Sequence, residues 1–590
     1  MTLTSLINFC KQLNAYILSR VSHSVHCTLA NCKFICLLPI AYCLLILSCK
    51  EKPKPDLYVP DDFEVTVMID SISGGARHIA VRDNGDIYVK LKKPKRGGNV
   101  ALRDKNGDGK IDTIASFGGY NEQGNYGTGM RIYNGYLYFS TELNVFRMKL
   151  DPNSLIPTGT LDTIFVDDHA HGSHEHIGKP VTFDDSGHIF IPFGAPSNTC
   201  QVHNRTPFSP GIDPCPLLVD HGGIWRFDAN KLNQRQKDGY KYATGLRSVV
   251  GMEWNSLEQK LYALQHGRDD LLRLWPDKFN AWQSAVFPSE EFLRIDEGSH
   301  SGWPYCYYDQ IAQKKVLCPE YGGDGKIIGM CDTFLDPVIG FPAHWAPNDM
   351  HFYRGDQFPE HYKNGAFIAF HGATNRAPYP QAGYFIGFVP YENGQLSKNY
   401  EVFADGFAKV DPIVNVSDAV YRPMGIAMGP DGSMYFADTE EGKIWRVKYK
   451  GDKSKFGPSQ LAGMELRKQA SNIRDPHIVN DDLDKGKKSE GQKEYNIYCG
   501  GCHQSNGMGA SGRFPPLASE WVTGDKTKLI NVVLKGIEGE ITVNNEKWSG
   551  TMPKHDFLPD DKIATILTFI RKNWGNNADS VTVEEVKKMR

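Results

Sequence analysis

A surplus of charge of one sign is absent from this chain. Its 66 Lys and Arg residues are nearly matched by 69 Asp and Glu residues, which leaves a net charge of -3. Nucleic-acid binding usually needs a basic face, so we predict no nucleic-acid partner. The mean hydropathy of -0.42 likewise excludes a membrane protein with many spans.

The composition is rich in residues that form turns and short strands. The 590 residues include 58 Gly, 34 Pro, 10 Trp, 27 Tyr and 30 Phe. This mixture favours many short strands over a helical bundle or a disordered chain. The length exceeds what one core of roughly 100–200 residues needs, so we expect several domains or one repeat domain with additions.

The N-terminal region lacks an apolar run of membrane-spanning length. Residues 34–48 are mostly apolar but fall short of the roughly 20 residues that a spanning helix needs. They fit the apolar core of a signal peptide and end in Ile-Leu-Ser-Cys at 46–49, which resembles the bacterial lipobox. We predict a signal segment over 1–48, a lipid anchor on Cys49, a tether over 50–59, and export to the cell envelope, facing the periplasm or in the outer membrane. The alternative is an uncleaved signal or an ordinary membrane anchor.

One pattern recurs between residues 60 and 450: an apolar strand, a turn that usually has Asn, Asp or Ser beside Gly, and a second strand with an aromatic residue. Six copies lie at residues 79–89, 132–139, 181–191, 252–263, 362–369 and 426–436. Short strands at turn-punctuated spacing predict an all-β array that closes into a six-bladed β-propeller over 60–450. A pair of β-sandwiches is the alternative.

The composition changes after the repeats. Residues 451–485 are rich in Lys, Asp, Ser and Gln, which predicts a linker with one helix over 459–469. A small all-α domain is predicted over 486–578, with one helix over 491–499 and another opened by Pro559, Asp560 and Asp561, since proline and acids suit a helix N-terminus. Residues 579–590 are predicted to form a tail.

The most specific motif is Cys-Gly-Gly-Cys-His at residues 499–503. Cys499 and Cys502 have the spacing for thioether bonds to the vinyl groups of a haem, and His503 then supplies an axial ligand to the iron. A zinc half-site or a redox pair is the alternative, but no second CxxC or paired His follows to complete a zinc tetrahedron. We therefore predict covalently bound haem c.

Met552, within Gly-Thr-Met-Pro at residues 550–553, is the predicted second axial ligand. This segment resembles class I cytochrome c, whose methionine ligand lies in such a Met-Pro sequence, and the resemblance covers residues 491–575. Met508 is the rival ligand, but it follows His503 by only five residues, which makes the opposite haem face hard to reach. A Met/His pair raises the reduction potential, as an acceptor of electrons from an organic donor requires.

Four parts of the repeat region resemble sugar dehydrogenases that use pyrroloquinoline quinone (PQQ), of the soluble glucose dehydrogenase and sorbosone dehydrogenase type. They are residues 176–183 with 194–198, residues 245–251, residues 298–304 and residues 421–425. The likeness lies in their order and spacing. It implies a six-bladed propeller that oxidises a sugar or another alcohol.

The resemblance also implies a catalytic base. His176 is the candidate for taking the hydroxyl proton, because its distance to Phe183 matches the family's histidine-to-strand spacing. Glu175 stands where the family often has an acid that orients or contacts the base. His174 is the rival base, and His171 lies in the same loop, so this His-rich turn could also bind adventitious metal or stay solvated.

Cations for the carboxylates of PQQ are only partly matched. Arg247 corresponds to the family arginine that meets a PQQ carboxylate, although Ser248 stands where asparagine is common. Arg422 corresponds to the second cation of a pair, Val420 occupies the place of the first, and Arg376 is the candidate replacement. A salt bridge between blades is the alternative for each arginine. The family's lysine has no recognisable counterpart.

Two calcium sites are predicted. Gly267 corresponds to the family loop whose carbonyl groups hold the Ca²⁺ linked to the cofactor. A second loop stands on its own residues, because Asp104, Asn106, Asp108 and Asp112 present oxygen atoms around a glycine bend, as a hard cation requires. It lacks the final Glu of an EF-hand, so the ion is expected to be structural. The alternative is a solvated turn.

Three functions compete. The first is an exported quinohaemoprotein whose propeller oxidises a sugar or alcohol with PQQ and whose haem passes electrons singly to a downstream cytochrome or oxidase. The second is a calcium-dependent hydrolase of the lactonase kind, and the third is a non-enzymatic binding propeller tethered to a cytochrome. A fused haem has no evident use in a hydrolase, which favours the first.

Five cysteines remain after the leader, the anchor and the haem pair are set aside: Cys200, Cys215, Cys306, Cys318 and Cys331. In an exported protein they can form at most two disulfides. We predict Cys200–Cys215 first and leave the pairing among the other three open.

Overall fold

Six antiparallel sheets of four strands form the larger part of the structure. The computed structural model describes residues 55–92, 98–119, 128–169, 175–476, 489–510 and 513–590. In five sheets the strands are arranged in chain order, and in the sixth a strand from the start of the domain joins three from its end. The predicted six-bladed propeller is confirmed.

The strands are numbered along the chain, beginning with β1 (Phe63–Ile69). Blade 1 contains β2 (Ala76–Val81), β3 (Ile87–Leu91), β4 (Asn99–Arg103) and β5 (Thr113–Phe117). Blade 2 contains β6 (Met130–Tyr133), β7 (Tyr136–Ser140), β8 (Asn144–Lys149) and β9 (Thr158–Val166). Blade 3 contains β10 (Thr182–Phe183), β11 (His188–Phe193), β12 (Gly223–Asp228) and β13 (Tyr240–Thr244).

The later blades contain insertions. Blade 4 has β14 (Val249–Asn255), β15 (Lys260–Gln265), β16 (Glu290–Ile295) and, after an inserted hairpin of β17 (Cys306–Asp309) and β18 (Lys314–Leu317), β19 (Ile339–Phe341). Blade 5 has β20 (Pro347–Phe352), β21 (Ala366–Phe370), β22 (Phe385–Val389) and, after β23 (Tyr391–Glu392) and β24 (Gln395–Leu396), β25 (Glu401–Ala404). Blade 6 has β26 (Pro423–Met428), β27 (Met434–Asp438) and β28 (Ile444–Tyr449), completed by β1.

Helices are concentrated after the propeller. The α-helices are α1 (Leu271–Leu274), α2 (Ala281–Val286), α3 (Pro458–Arg467), α4 (Glu490–Tyr498), α5 (Gly500–His503), α6 (Glu520–Thr523), α7 (Lys526–Lys535), α8 (Asp560–Arg571) and α9 (Val583–Met589). Short 3-10 helices span Pro216–Val219, Gln236–Asp238, Pro319–Tyr321, Gly329–Thr333, Glu360–Tyr362, Val416–Asp418 and Lys453–Lys455. Within the part of the chain that the structure describes, every helix is too short or too polar to cross a bilayer.

Five of the six predicted repeats are the hairpins that begin a blade. Between β2 and β3, for example, Gly85 has a φ of 88°, a left-handed conformation that glycine adopts without strain. The fifth prediction was wrong in one detail, because Tyr362 ends a 3-10 helix and the strand begins only at Ala366. The buried ring of Tyr362 stacks on Phe367 with 5.8 Å between centroids, so side-chain packing holds it in place of strand pairing.

The ring is closed by β1. This strand pairs antiparallel with β28, from Phe63 opposite Tyr449 to Ile69 opposite Ile444. Met68 of β1 is buried in a cluster that also contains residues of blade 1. The first strand therefore joins the last blade to the first.

A buried carboxylate links four blades near the propeller axis. Asp349 of β20 accepts hydrogen bonds from Arg131 Nη2 of β6 at 2.6 Å and from the backbone N–H of Ile426 in β26 at 2.9 Å. His78 Nε2 of β2 lies 3.5 Å from the same carboxylate. Burial lowers the pKa of His78 to about 4, so this imidazole is neutral. The charge of Asp349 opposes that shift, whereas the charges of nearby arginines add to it.

Two disulfides lie in the insertions of blades 3 and 4. Cys200 is bonded to Cys215, as predicted, and Cys306 to Cys331. Cys318 remains a buried free thiol. The open pairing among the last three cysteines is thus resolved.

Two linker boundaries were wrong. In the predicted linker, the helix is confirmed as α3, but Met464 of α3 and Ile473 after it are buried in the core of blades 4 and 5. At the N-terminal side, Leu57 of the predicted tether is also buried against the propeller. Both segments are polar in composition, but each contains apolar side chains that pack into the propeller core. The predicted signal segment and Cys49 lie outside the described residues.

The C-terminal domain also differs from its prediction. Residues 579–590 are not a tail, since α9 packs on α7 and α8 and Val586 is fully buried in their core. The domain is not all-α, because β29 (Ile537–Val543) and β30 (Glu546–Met552) form a hairpin. The two expected helices are present as α4 and α8, the latter capped at Pro559.

Ring closure predicts a stability effect. Met68→Ala should lower the free energy of unfolding by about 2–5 kcal/mol, because it leaves a cavity where β1 meets blade 1. Met330→Ala, at a position that is 46% exposed, is the matched control and should change stability by less than about 0.5 kcal/mol. Urea unfolding followed by tryptophan fluorescence measures both. Equal effects of the two variants would contradict the closure role of β1.

Candidate cofactor and haem sites

His176 lies in the loop before β10, where its imidazole is half-buried. Its Nδ1 is 2.5 Å from the carbonyl oxygen of Ala195, which can only accept, so Nδ1 carries the proton and Nε2 keeps a free lone pair. Desolvation, followed by the positive charge of Arg247, lowers the pKa of His176 well below its usual range. The loop packs so closely on Gly194 that a Cβ there would lie 1.8 Å from the His176 carbonyl oxygen. His176 is therefore held as a neutral base.

Glu175 does not orient His176. Its carboxylate accepts hydrogen bonds from Arg205 Nη2 at 2.9 Å and Asn204 Nδ2 at 2.7 Å. The orienting group of His176 is the Ala195 carbonyl instead, so the expected role of Glu175 is corrected to holding Arg205. His171 and His174 lie outside the described residues.

Arg247 is buried at the start of blade 4. Its Nη2 donates to Asn198 Oδ1 at 2.9 Å and to Asp269 Oδ2 at 2.8 Å, and its Nη1 donates to the Gly267 carbonyl at 2.7 Å. The carbonyl of Gly267 thus faces a cation of the protein itself. Gly267 stays a prediction as a calcium ligand.

Asp269 is the centre of this cluster, and the sequence analysis missed it. Besides Arg247, it accepts from Arg205 Nη2 at 3.2 Å and from Asn375 Nδ2 at 2.8 Å. Burial alone would raise its pKa, but the guanidinium groups of Arg247 and Arg205 hold the pKa of Asp269 well below its usual range. The available signal was the pair of acids directly after Gly267 and Arg268, at the end of β15.

Arg422 and Arg376 meet around one propeller loop, residues 371–384. Arg422 Nη2 donates to the Gly372 carbonyl at 2.6 Å, and its guanidinium lies 5.7 Å from the ring centre of Tyr384. Burial raises the pKa of Tyr384 to about 12, and the charges of Arg422 and Arg376 both oppose that rise. Through Asn375 the same loop reaches Asp269, so the four candidates from distant parts of the chain, His176, Arg247, Arg376 and Arg422, converge at one end of the propeller.

Arg376 has an unusual environment. It is 1% exposed, and within the described residues its Nε and Nη1 have no hydrogen-bond partner. Burial lowers its pKa to about 10 despite the opposing charge of Asp475. A buried guanidinium with open donors is costly unless an anion meets it. The carboxylates of PQQ fit this requirement.

The predicted calcium loop is folded around its own backbone. Asp104 accepts from the N–H groups of Gly107 and Gly109 at 2.7 and 2.8 Å, and Asp112 accepts from that of Lys105 at 2.7 Å. Across the described ranges, no group of three or more His, Cys, Asp or Glu side chains is arranged to hold a metal ion. Asp104, Asn106, Asp108 and Asp112 therefore remain a prediction.

The haem motif is placed as a haem requires. Cys499 and Cys502 are separate thiols and not a disulfide. Nδ1 of His503 donates to the Pro515 carbonyl at 3.0 Å, which leaves Nε2 for an iron atom. Met552 ends β30 and is half-buried, whereas its rival Met508 is 54% exposed. The sequence analysis missed His555, which is buried with Nε2 unpartnered among the described residues. Burial lowers the pKa of His555 to about 4.

The haem motif faces the propeller cluster. Burial, followed by the charge of Asp270, raises the pKa of the Cys502 thiol, and the charges of Arg273, Arg513 and Arg205 oppose that rise. Arg205 is bound to Asp269. Helix α1, which carries Arg273, contacts α4, the helix that precedes the haem motif. The attachment point of a haem and the candidate base therefore border the same group of charges.

Comparisons with known proteins concern the two parts separately. A family model described as TrAA12-like matches residues 57–450, and a cytochrome c model matches residues 489–574. An uncharacterised protein of Borreliella burgdorferi is 31% identical over 219 residues, which are 37% of this chain and 51% of that relative. The chain thus spans about half the length of that relative.

Cytochrome c-552 of Thermus thermophilus is 39% identical over 113 residues, which are 18% of this chain and 86% of that cytochrome. Among solved structures, the holo form of the PQQ domain of pyranose dehydrogenase from Coprinopsis cinerea superposes with a TM-score of 0.53. It is 16% identical and covers 67% of this chain and 98% of its own. At this identity the likeness shows the shared fold alone.

The haem site yields a direct prediction. The double variant Cys499→Ser, Cys502→Ser should lose covalent haem, because no thioether can form. Haem-dependent peroxidase staining of a denaturing gel measures attachment. Cys318→Ser, which removes the buried free thiol of the propeller, is the matched control and should keep the stain. A stained double variant would show that attachment occurs elsewhere.

Proposed function

This chain belongs to the TrAA12-like family and carries a cytochrome c domain, and from that premise we propose that it is a dehydrogenase that oxidises a sugar or another alcohol and delivers the electrons to its own haem c. The observation that carries the proposal is the hydrogen bond from Gln504 Nε2, directly after His503, to the carbonyl of Thr374 at 3.2 Å. The next residue, Asn375, donates to Asp269, which is bound to Arg247. A hydrolase has no use for a haem in that position.

The residues of the propeller have defined tasks. When bound, PQQ supplies two-electron oxidation, and haem c supplies one-electron transfer. His176 accepts the proton of the substrate hydroxyl at Nε2, since its Nδ1 is held by Ala195. Each alcohol group that becomes a carbonyl releases two electrons and two protons. A bound PQQ would supply the two-electron oxidant, and a haem held by Cys499, Cys502 and His503 would supply one-electron transfer to an external acceptor.

Anion binding is assigned to the arginines. We assign carboxylates of PQQ to Arg376, which has two open donors, and to Arg422, which contacts the same loop. Arg247 is proposed to make a third contact with PQQ. Met552 is proposed as the second haem ligand. Calcium is proposed at Gly267 and, as a structural ion, at Asp104 with its loop. These assignments complete the cofactor set of haem c, PQQ and Ca²⁺.

The location of the protein is part of the proposal. The signal-like segment at residues 34–48 supports export. We propose that Cys49 carries a lipid anchor and that the acceptor is a cytochrome or an oxidase of the cell envelope. Fractionation of cells with Cys49→Ala against wild type tests the anchor.

The central experiment follows the haem. Holoprotein supplied with PQQ and Ca²⁺ is mixed with aldoses and polyols, and the absorbance of ferrous haem is recorded. We expect reduction with at least one donor, and no reduction when PQQ is omitted. Failure with every donor, while dithionite still reduces the haem, would reject the dehydrogenase.

His176 predicts both a variant and a pH profile. His176→Ala should abolish substrate-driven haem reduction but leave reduction by dithionite intact. In the wild type the base is neutral above its lowered pKa, so the rate should stay constant as the pH falls through 6.5 and decline only well below it. His188→Ala, at a half-buried hairpin position where the imidazole pairs with Asp184 at 2.7 Å, is the matched control. A midpoint near pH 6.5 would contradict the assigned environment.

Arg376 predicts opposite effects on binding and stability. Arg376→Leu should weaken PQQ binding at least tenfold, about 1.4 kcal/mol, because the anion loses its buried partner. The protein without PQQ should be no less stable than wild type, since a buried guanidinium with two open donors is removed. Titration calorimetry and thermal unfolding measure the two effects, and Arg294→Leu at the surface is the control. Unchanged PQQ affinity would leave Arg376 a purely structural residue.

A further inference from the structure

The contact between the propeller and the cytochrome domain is built around one side chain. Gln504 directly follows His503 and is 0% exposed. Its Nε2 donates to the Thr374 carbonyl of the propeller at 3.2 Å, and its Oε1 accepts from Gln381 Nε2 at 3.0 Å. The residue next to the haem ligand is thus bonded to the propeller at two points.

The backbone of Gln504 is strained. Its φ of 61° and ψ of 162° belong to a region that only glycine populates readily, at a cost of about 1–3 kcal/mol for other residues. Such a conformation persists where the surroundings hold it. Here Tyr495 Oη donates to the Gln504 carbonyl at 2.5 Å, and Gln504 Nε2 also reaches the Gly501 carbonyl at 3.0 Å. A glycine would relieve the strain but would lose both bonds to the propeller.

The propeller loop that holds Gln504 is the one that carries the candidate cofactor contacts. In this loop, residues 371–384, Asn375 donates to Asp269 at 2.8 Å. The backbone N–H of Arg376 donates to Gln381 Oε1 at 3.3 Å, while the Nε2 of the same Gln381 side chain donates to Gln504. One short chain of bonds therefore runs from Arg376 to the residue beside the haem ligand.

A second contact stabilises the same arrangement. Ala510 of the cytochrome domain is 3% exposed and packs in a cluster with Tyr384, Ile413 and other apolar residues of the propeller. Asn415 Nδ2 donates to the carbonyl of Gly509. The docking surface thus combines buried apolar packing with buried hydrogen bonds.

We infer that Gln504 is a positioning residue that locks the haem loop on the propeller, so that electrons pass from substrate to haem within one docked molecule. The inference rests on the proposed function. Electron transfer falls steeply with distance, so its rate is reduced by the fraction of molecules in which the domains are apart. The bonds of Gln504 keep that fraction small.

The test separates transfer from the chemistry of each half. In Gln504→Gly holoprotein, substrate-driven haem reduction in stopped-flow experiments should slow at least tenfold. Substrate-driven reduction of a soluble dye by the propeller should keep its rate, and the haem spectrum and midpoint potential should not change. Since glycine removes the strain, thermal stability of the cytochrome domain should not fall, which a merely structural role of Gln504 would not predict.

The controls make each failure distinct. Gln313→Gly replaces a glutamine at a φ of 52° in an exposed turn of the propeller and should leave haem reduction unchanged. Gln381→Met removes the same bond from the propeller side, in case the Gln504 variant loses its haem, and should also slow the transfer at least tenfold. Wild-type transfer rates in the Gln504 and Gln381 variants would overturn the inference. Absence of dye reduction in the wild type would instead reject the proposed dehydrogenase.

Discussion

The buried carboxylate of Asp349 is the constraint on which the propeller depends. It is fully buried, and its bonds to Arg131 and Ile426 join blades 2, 5 and 6. His78 of blade 1 lies 3.5 Å from it and is hydrogen-bonded to the adjacent Asn348 carbonyl. An unpaired charge at this depth would cost several kcal/mol, so the inner strands must approach the axis in the register that brings these partners to it. The register of those strands therefore also fixes the positions of the loops that connect them.

The candidate site depends on this geometry because none of its parts is local. Asp269 binds Arg205, Arg247 and Asn375, residues from loops of three blades. Their sequence separations exclude detection by motif or spacing, and only ring closure brings them together. Arg247 could be nominated from resemblance, but Arg205 and the acid that binds both arginines, Asp269, were found only in three dimensions.

Features that depend on local sequence were predicted well, whereas features that depend on long-range packing were predicted poorly. The hairpins, the haem motif and the helix after Pro559 depend on turn residues, fixed spacing and capping, which a short window of sequence contains. The predicted tail failed because Val586 finds an apolar surface formed by α7 and α8. The predicted linker failed similarly at Met464, since a polar composition does not show that one apolar face has a partner.

Two residues in locally unfavourable states lie at the two ends of the chain of hydrogen bonds that passes through Gln381. Arg376 has a buried charge with open donors, and Gln504 has a backbone that favours glycine. A sequence selected for stability alone would remove both, so their presence at the junction of propeller and haem motif points to a functional demand. Because a bound anion would relieve the first of these states and docking holds the second, binding of the proposed carboxylate cofactor and seating of the haem domain are expected to stabilise one another through Gln381.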